Sequence, residues 1–174
     1  MGGQIRDASG QDAERCAEIF STYVTAGTST LETHPPTRAE MAERISAATR
    51  EHAWLVLEDE GYVVGFAQAG PYREGPAQRY ACEVAIWVEP GRHGTGGAKR
   101  LHTALLSRLS RKGFTRAFAF IPLPNVAAVG LHEALGFIEV GVHTQVGWKH
   151  GSWRDALWMQ RAIGPVAVPP DDSA

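Results

Sequence analysis

Small residues crowd one stretch of this chain, Gly94-Thr95-Gly96-Gly97-Ala98, and a helix pattern follows it directly. Such residues let a ligand approach the main chain, and the free N–H groups and dipole of a helix start favour an anion. Lys99 and Arg100 add positive charge there. A plain strand-to-helix turn uses the same residues, so the stretch alone leaves both readings open. Two phosphate motifs fail: a P-loop needs Gly-Lys then Ser or Thr, and a dinucleotide fingerprint needs a small residue where Lys99 stands. Upstream, Glu83 is the only acid in the apolar run 81–88. A carboxylate there is either a solvated strand end or a base. His132 either packs on a short helix or carries a proton near neutral pH. Arg73 and Arg79 are either ordinary surface charge or partners for an acidic group on a small ligand.

The elements that position these groups follow from periodicity. Val84, Ile86 and Val88 alternate along a strand ended by Pro90-Gly91. Leu101, Ala104, Leu105 and Leu109 recur at helical spacing, with Gly113 as the stop. Before them come a strand at 5–8, a helix with the stripe Ala13, Ala17, Ile19, Phe20 and Val24, and a loop over 27–36. A second helix is capped by Thr37 with Glu40 and runs to about Arg50, and a hairpin spans 53–57 and 62–69. Gly70-Pro71 opens another loop. After the central helix come an apolar strand at 115–121, a helix at 127–135 ended by Gly136, and a strand starting at Phe137. A last pair at 141–146 and 155–161 brackets a turn over 147–153, whose Trp148 and Trp153 either cap an acceptor pocket or a dimer contact or, as is commoner for tryptophan, pack in the core. Residues 164–174, rich in Pro and Asp, are expected to be disordered. This order gives an α/β (α+β) class: one domain over 1–163, with a mixed sheet and helices on both faces.

Composition removes several classes of function. The 174 residues are 44% hydrophobic with a formal net charge of −2, which gives no general attraction to nucleic acid or anionic membrane. No apolar run is long enough to span a bilayer, and the first residues lack the pattern of a signal peptide. The two cysteines, Cys16 and Cys82, suit neither a disulfide framework nor a metal site, which makes the cytoplasm the expected compartment. The seven histidines show no metal-ligand spacing, so no metal is expected.

Three further segments narrow the reading. Ile121-Pro122-Leu123-Pro124-Asn125, His132-Glu133-Ala134-Leu135-Gly136-Phe137 and Gly147-Trp148-Lys149-His150-Gly151-Ser152-Trp153-Arg154-Asp155 resemble the signature run of the phosphinothricin N-acetyltransferases, within the GNAT acyltransferases. Thr28-Ser29-Thr30, Gly70-Pro71-Tyr72-Arg73 and Glu83 fit the same family. His93-Gly94-Thr95-Gly96-Gly97-Ala98 fits its pyrophosphate loop with histidine in place of Gln or Arg. The resemblance implies the GNAT fold and a homodimer that moves acetyl from acetyl-CoA to the primary amine of a small amino-acid-like molecule. It also implies site roles. Ile86, Trp87 and Val88 offer backbone to pantetheine; Gly94, Thr95, Gly96, Gly97, Ala98 and Lys99 hold the pyrophosphate; Asn125 meets the acetyl end. Glu83 is the base, His132 activates the amine or relays its proton, and Arg73 and Arg79 face the acceptor. A central-strand N–H is the natural oxyanion donor, while residues 126–135 hold no tyrosine to protonate the thiolate. Gly75, Gln78 and His102 depart from the family's pocket residues. That leaves room for another small amine, a peptide N-terminus or a non-catalytic acyl-CoA-binding module.

Overall fold

Strand β4 (Ala81–Val88) and helix α3 (Gly97–Arg111) form the predicted strand, turn and helix. The computed structural model describes residues 3–166, so 167–174 of the expected tail lie outside the described residues. The remaining elements are β1 (Gln4–Asp7), α1 (Ala13–Thr25), α2 (Arg38–Glu51), β2 (Ala53–Asp59), β3 (Tyr62–Pro71), β5 (Arg116–Pro122), α4 (Val126–Ala134), β6 (Ile138–Lys149) and β7 (Ser152–Ala162).

Alternation along β2 puts the sheet between two cores. Leu55 and Leu57 join Leu101, Leu105 and Leu109 of α3 on one face, whereas Trp54 and Val56 join Ile19 and Phe20 of α1 and Met41 and Ile45 of α2 on the other. Burying each large apolar side chain contributes about 1.5–3 kcal/mol, so these two faces supply most of the cohesion. The seven strands run in the order β1-β2-β3-β4-β5-β7-β6. All neighbours are antiparallel except β4 and β5.

Local signals set the helix starts. Thr37 Oγ1 accepts from the Glu40 N–H at 3.2 Å, and the Glu40 carboxylate accepts from the Thr37 N–H at 2.7 Å, the expected capping box. Gly113 and Gly136 have φ of +94° and +80°, the left-handed geometry of a helix end.

Two expectations need correction. Gly70 and Pro71 do not open a loop; they pair with Glu83 and Cys82 and complete β3. Proline is tolerated there as the strand's last residue. The final hairpin is also longer than predicted, because β6 runs unbroken from Ile138 to Lys149 and irregularities near Gly141 and Gly147 absorb the glycines that read as breaks. Only His150 and Gly151 remain to turn the chain, with φ of +51° and +71°. Trp148 and Trp153 therefore face each other across the hairpin, 57% and 56% exposed, rather than packing in the core.

Candidate active site

Strands β4 and β5 pair only at Ala81, Cys82 and Glu83 opposite Arg116, Ala117 and Phe118. Both strands continue, so beyond Glu83 they part and a groove of about 310 Å³ opens between residues 84–88 and 119–121. Asn125, Ala128, Leu131 and His132 close one side, Tyr23 and Ser29 the other. Here the edge of β4 that faced β5 has no strand beside it, leaving main-chain groups for an extended ligand. The Tyr23 hydroxyl already donates to the Val88 carbonyl, and His93 Nε2 lies 3.3 Å from the same hydroxyl.

The small-residue turn sits at the groove's far end. Gly94 and Gly96 take φ of +82° and +79°, where a side chain is strained. Gly97 sits where α3 approaches β2: an added Cβ would lie 2.9 Å from Leu57 Cδ2, so that side chain would have to shift. No side chain caps the first turn of α3, so its N–H groups stay available to an anion. His93 and Ala98 line the groove, while Thr95 and Lys99 lie exposed beside it.

Glu83 faces a different space, a cavity of about 480 Å³ lined by Arg44, Arg50, His52, Trp54, Gln68, Gly70 and Glu83 among others. This cavity and the groove share Val84 and Ala85 as a common wall. Burial pushes the Glu83 carboxyl above its ordinary range, partly opposed by the positive charge of Arg73. His132 is buried on α4, where its Nδ1 donates to the Ala128 carbonyl at 2.7 Å. That bond fixes the tautomer, so Nε2 is the unprotonated nitrogen, and it meets no partner among the described residues. Burial lowers the His132 pKa, with the Ala128 bond opposing, which keeps the ring neutral. Neither cavity is lined by both Glu83 and His132.

The other predicted residues divide. Ile86, Trp87, Val88 and Asn125 line the groove. Asn125 also caps α4, its Oδ1 accepting from the Ala128 N–H at 3.1 Å, which leaves the amide NH₂ end for a ligand. Arg73 and Arg79 line neither cavity. Arg73 stacks over Tyr72, and Arg79 is held in its own loop by the Tyr80 hydroxyl at 2.9 Å and the Pro76 carbonyl at 3.0 Å. Sequence reasoning missed Tyr23, Arg44, Arg50 and His52, which reach the site only through tertiary packing of the α1 and α2 region, while Ser29, in the Thr28-Ser29-Thr30 segment it singled out, lines the groove. It noted His102 as a pocket substitution, yet that ring is fully buried edge-on to His132, with centroids 4.9 Å apart. Among the described residues no group of three or more His, Cys, Asp or Glu is placed to hold a metal ion.

Comparison with known proteins agrees with this geometry. Residues 13–137 match the acetyltransferase (GNAT) family. The chain is 34% identical over 166 residues to a phosphinothricin N-acetyltransferase of Streptomyces viridochromogenes, covering 95% of this chain and 91% of that one. It is 31% identical over 172 residues to an L-methionine sulfoximine/L-methionine sulfone acetyltransferase of Pseudomonas aeruginosa, covering 98% and 100%. The crystal structure of a phosphinothricin acetyltransferase from Sinorhizobium meliloti in complex with acetyl-CoA superposes with a TM-score of 0.93 at 36% identity, covering 99% and 95%. The parted strands, the glycine turn and the family match over most of the chain lead to one conclusion: this protein belongs to the GNAT acetyltransferase family.

Proposed function

We propose that the protein transfers the acetyl group of acetyl-CoA to the primary amine of a small amino-acid-like acceptor, of the phosphinothricin or methionine sulfone and sulfoximine kind. The observation that carries this reading is the shared wall at Val84 and Ala85. On one side lies a groove with an open strand edge and an uncapped helix start; on the other lies a cavity holding a half-buried carboxylate. Named relatives acting on such acceptors, and a superposable structure that holds acetyl-CoA, support the same substrates.

The residues present fit the cosubstrate. Main-chain groups of Ile86, Trp87 and Val88 suit the amide-bearing pantetheine arm. The N–H groups of Gly94, Thr95, Gly96, Gly97, Ala98 and Lys99 suit its pyrophosphate, and Asn125 stands at the groove's closed side. Bound there, acetyl-CoA supplies an acetyl group activated as a thioester. Glu83 accepts a proton from the acceptor's ammonium group, since only the free amine has the lone pair that attacks. A β4 main-chain N–H donates to the carbonyl oxygen as negative charge gathers on it. His132 Nε2 is the nitrogen left to take up a second proton and return it to the departing thiolate. Arg73, and with a loop movement Arg79, would meet the acceptor's acidic group.

The same reading takes residues 1–163 as one domain of a cytoplasmic homodimer. Cys16 and Cys82 are buried and unpaired, their thiols pushed up to about 12 by burial, which suits a reducing compartment. A thiol-release assay with acetyl-CoA and a panel of amino acids and their phosphinate, sulfone and sulfoximine analogues tests the function. Saturable turnover with at least one acidic small amine is expected, and none across the panel would sink the proposal.

A further inference from the structure

Lys149 is a buried lysine, 3% exposed, at the end of β6. Its ammonium donates to two main-chain carbonyls, Thr30 at 2.9 Å and Tyr23 at 3.3 Å, and among the described residues it forms no ion pair with a carboxylate. Burying an ammonium that only carbonyls satisfy is expensive, and a methionine would fill the same space without that desolvation. Its position gives the reason. Tyr23 and Thr30 bracket the turn out of α1, and the neighbouring hairpin residue, His150, has Nε2 3.2 Å from the Gly27 carbonyl. One residue beyond Thr30, Leu31 lies against Gly147, where an added Cβ would be 2.8 Å from the Leu31 side chain.

The loop held this way bears on both cavities, on the groove directly and on the other through Arg44 of α2. Ser29 lines the groove. Glu32 holds Arg44 through two bonds of 2.9 Å, and Arg44 lines the cavity that contains Glu83. Tyr23, by contrast, is tied to the groove independently through its hydroxyl on Val88. We propose that Lys149 is a positioning residue for acceptor selection: with His150 it latches the β6–β7 hairpin onto loop 26–37, fixing the wall against which the amine substrate is fitted. This rests on the acetyltransferase reading for its kinetic consequence, while the latch itself is a property of the protein without substrate.

Lys149→Met removes the donor and keeps the apolar stem. Amide hydrogen exchange measured on the free protein is expected to quicken at least tenfold over residues 26–33, with α3 and β2 unchanged. In steady-state kinetics the acceptor KM is expected to rise about tenfold or more, equivalent to about 1.4 kcal/mol, with the acetyl-CoA KM within about twofold. A variant that loses thermal stability everywhere but keeps both loop protection and acceptor KM overturns the proposal, because a merely structural lysine behaves that way. His150→Asn is the milder companion. It keeps a residue tolerant of positive φ, cannot reach Gly27, and is expected to quicken exchange over 26–30 alone. If Lys149→Met does not fold, unchanged exchange in His150→Asn overturns the latch. A wild-type protein without turnover counts against the acetyltransferase reading, and the exchange result stands apart from it.

Discussion

A carboxylate half withdrawn from water holds its proton more tightly than a solvated one, and a base works only without that proton. Because burial raises the Glu83 pKa, turnover should climb as pH rises through that raised value rather than through the ordinary carboxylate range. Glu83→Gln is expected to lower kcat by about a hundredfold or more and to abolish that part of the pH–rate profile. It should also raise Tm at pH 7. The unfolded Glu83 ionises at its ordinary value and the folded one above it, so the wild type loses stability as pH rises through the raised value. The glutamine variant does not. Rates and melting curves for both proteins across pH 5–9 check the pair of outcomes, and an unchanged rate removes Glu83 from the role. His102 gives the opposite sign. Burial first, then the repulsion its protonated ring would meet from His132 and Arg161, lowers its pKa to about 3, and neither of its ring nitrogens has a partner among the described residues. Unfolding below the ordinary histidine value therefore takes up a proton. Stability should fall by about 1.4 kcal/mol per pH unit between about 6.5 and the folded value. Urea unfolding of His102→Phe at pH 7 and pH 5 is expected to show a much flatter dependence than wild type.

At the scale of elements, what the sequence made legible was whatever local chemistry controls. Alternation gave β4, the leucine stripe gave α3, and Thr37 with Glu40 gave the start of α2. Glycines misled where the sheet overrode them, since Gly70 completes β3, and Gly141 and Gly147 sit inside β6. The parting of β4 from β5 leaves no local mark, because it depends on how two strands far apart in sequence diverge. For the same reason Arg44 and Arg50 were invisible as cavity residues, while Arg73 and Arg79, named for the acceptor through the family resemblance, line neither cavity. The glycine turn is the element whose role is most directly testable. Gly96→Ala forces an L-residue to a φ of +79°, which costs about 1–2 kcal/mol and shifts the loop rather than the sheet. The acetyl-CoA KM is expected to rise about fivefold to tenfold, equivalent to about 1–1.4 kcal/mol, with the acceptor KM unchanged. Kinetics with each substrate varied in turn check it, and an unmoved acetyl-CoA KM places the pyrophosphate elsewhere.

For the whole molecule the unsolved surface is the last strand. β6 closes the sheet as an edge, and its one neighbour is β7. Along it Ile138, Val140, Val142, Val146 and Trp148 are 42–62% exposed, and Trp153 extends the strip onto β7. A long apolar edge left bare is a template for pairing with another chain, and natural sheets blunt such edges with charge or proline. Of residues 138–148 Glu139 alone carries a formal charge, so this edge is barely guarded against a partner. A two-fold axis through this edge would let the same strip cover itself, as an isologous interface requires. The surface also flanks Lys149 and His150, so pairing would brace the hairpin that holds loop 26–37. The homodimer reading then predicts that Val142→Lys with Trp148→Lys, which puts like charges on both copies, yields a monomer in sedimentation equilibrium at micromolar concentration, where the wild type is a dimer. Since Glu83 and the groove lie within one chain, the monomer should keep acetyl-CoA binding while its acceptor KM rises. A wild type that sediments as a monomer removes the dimer from this account without touching the chemistry.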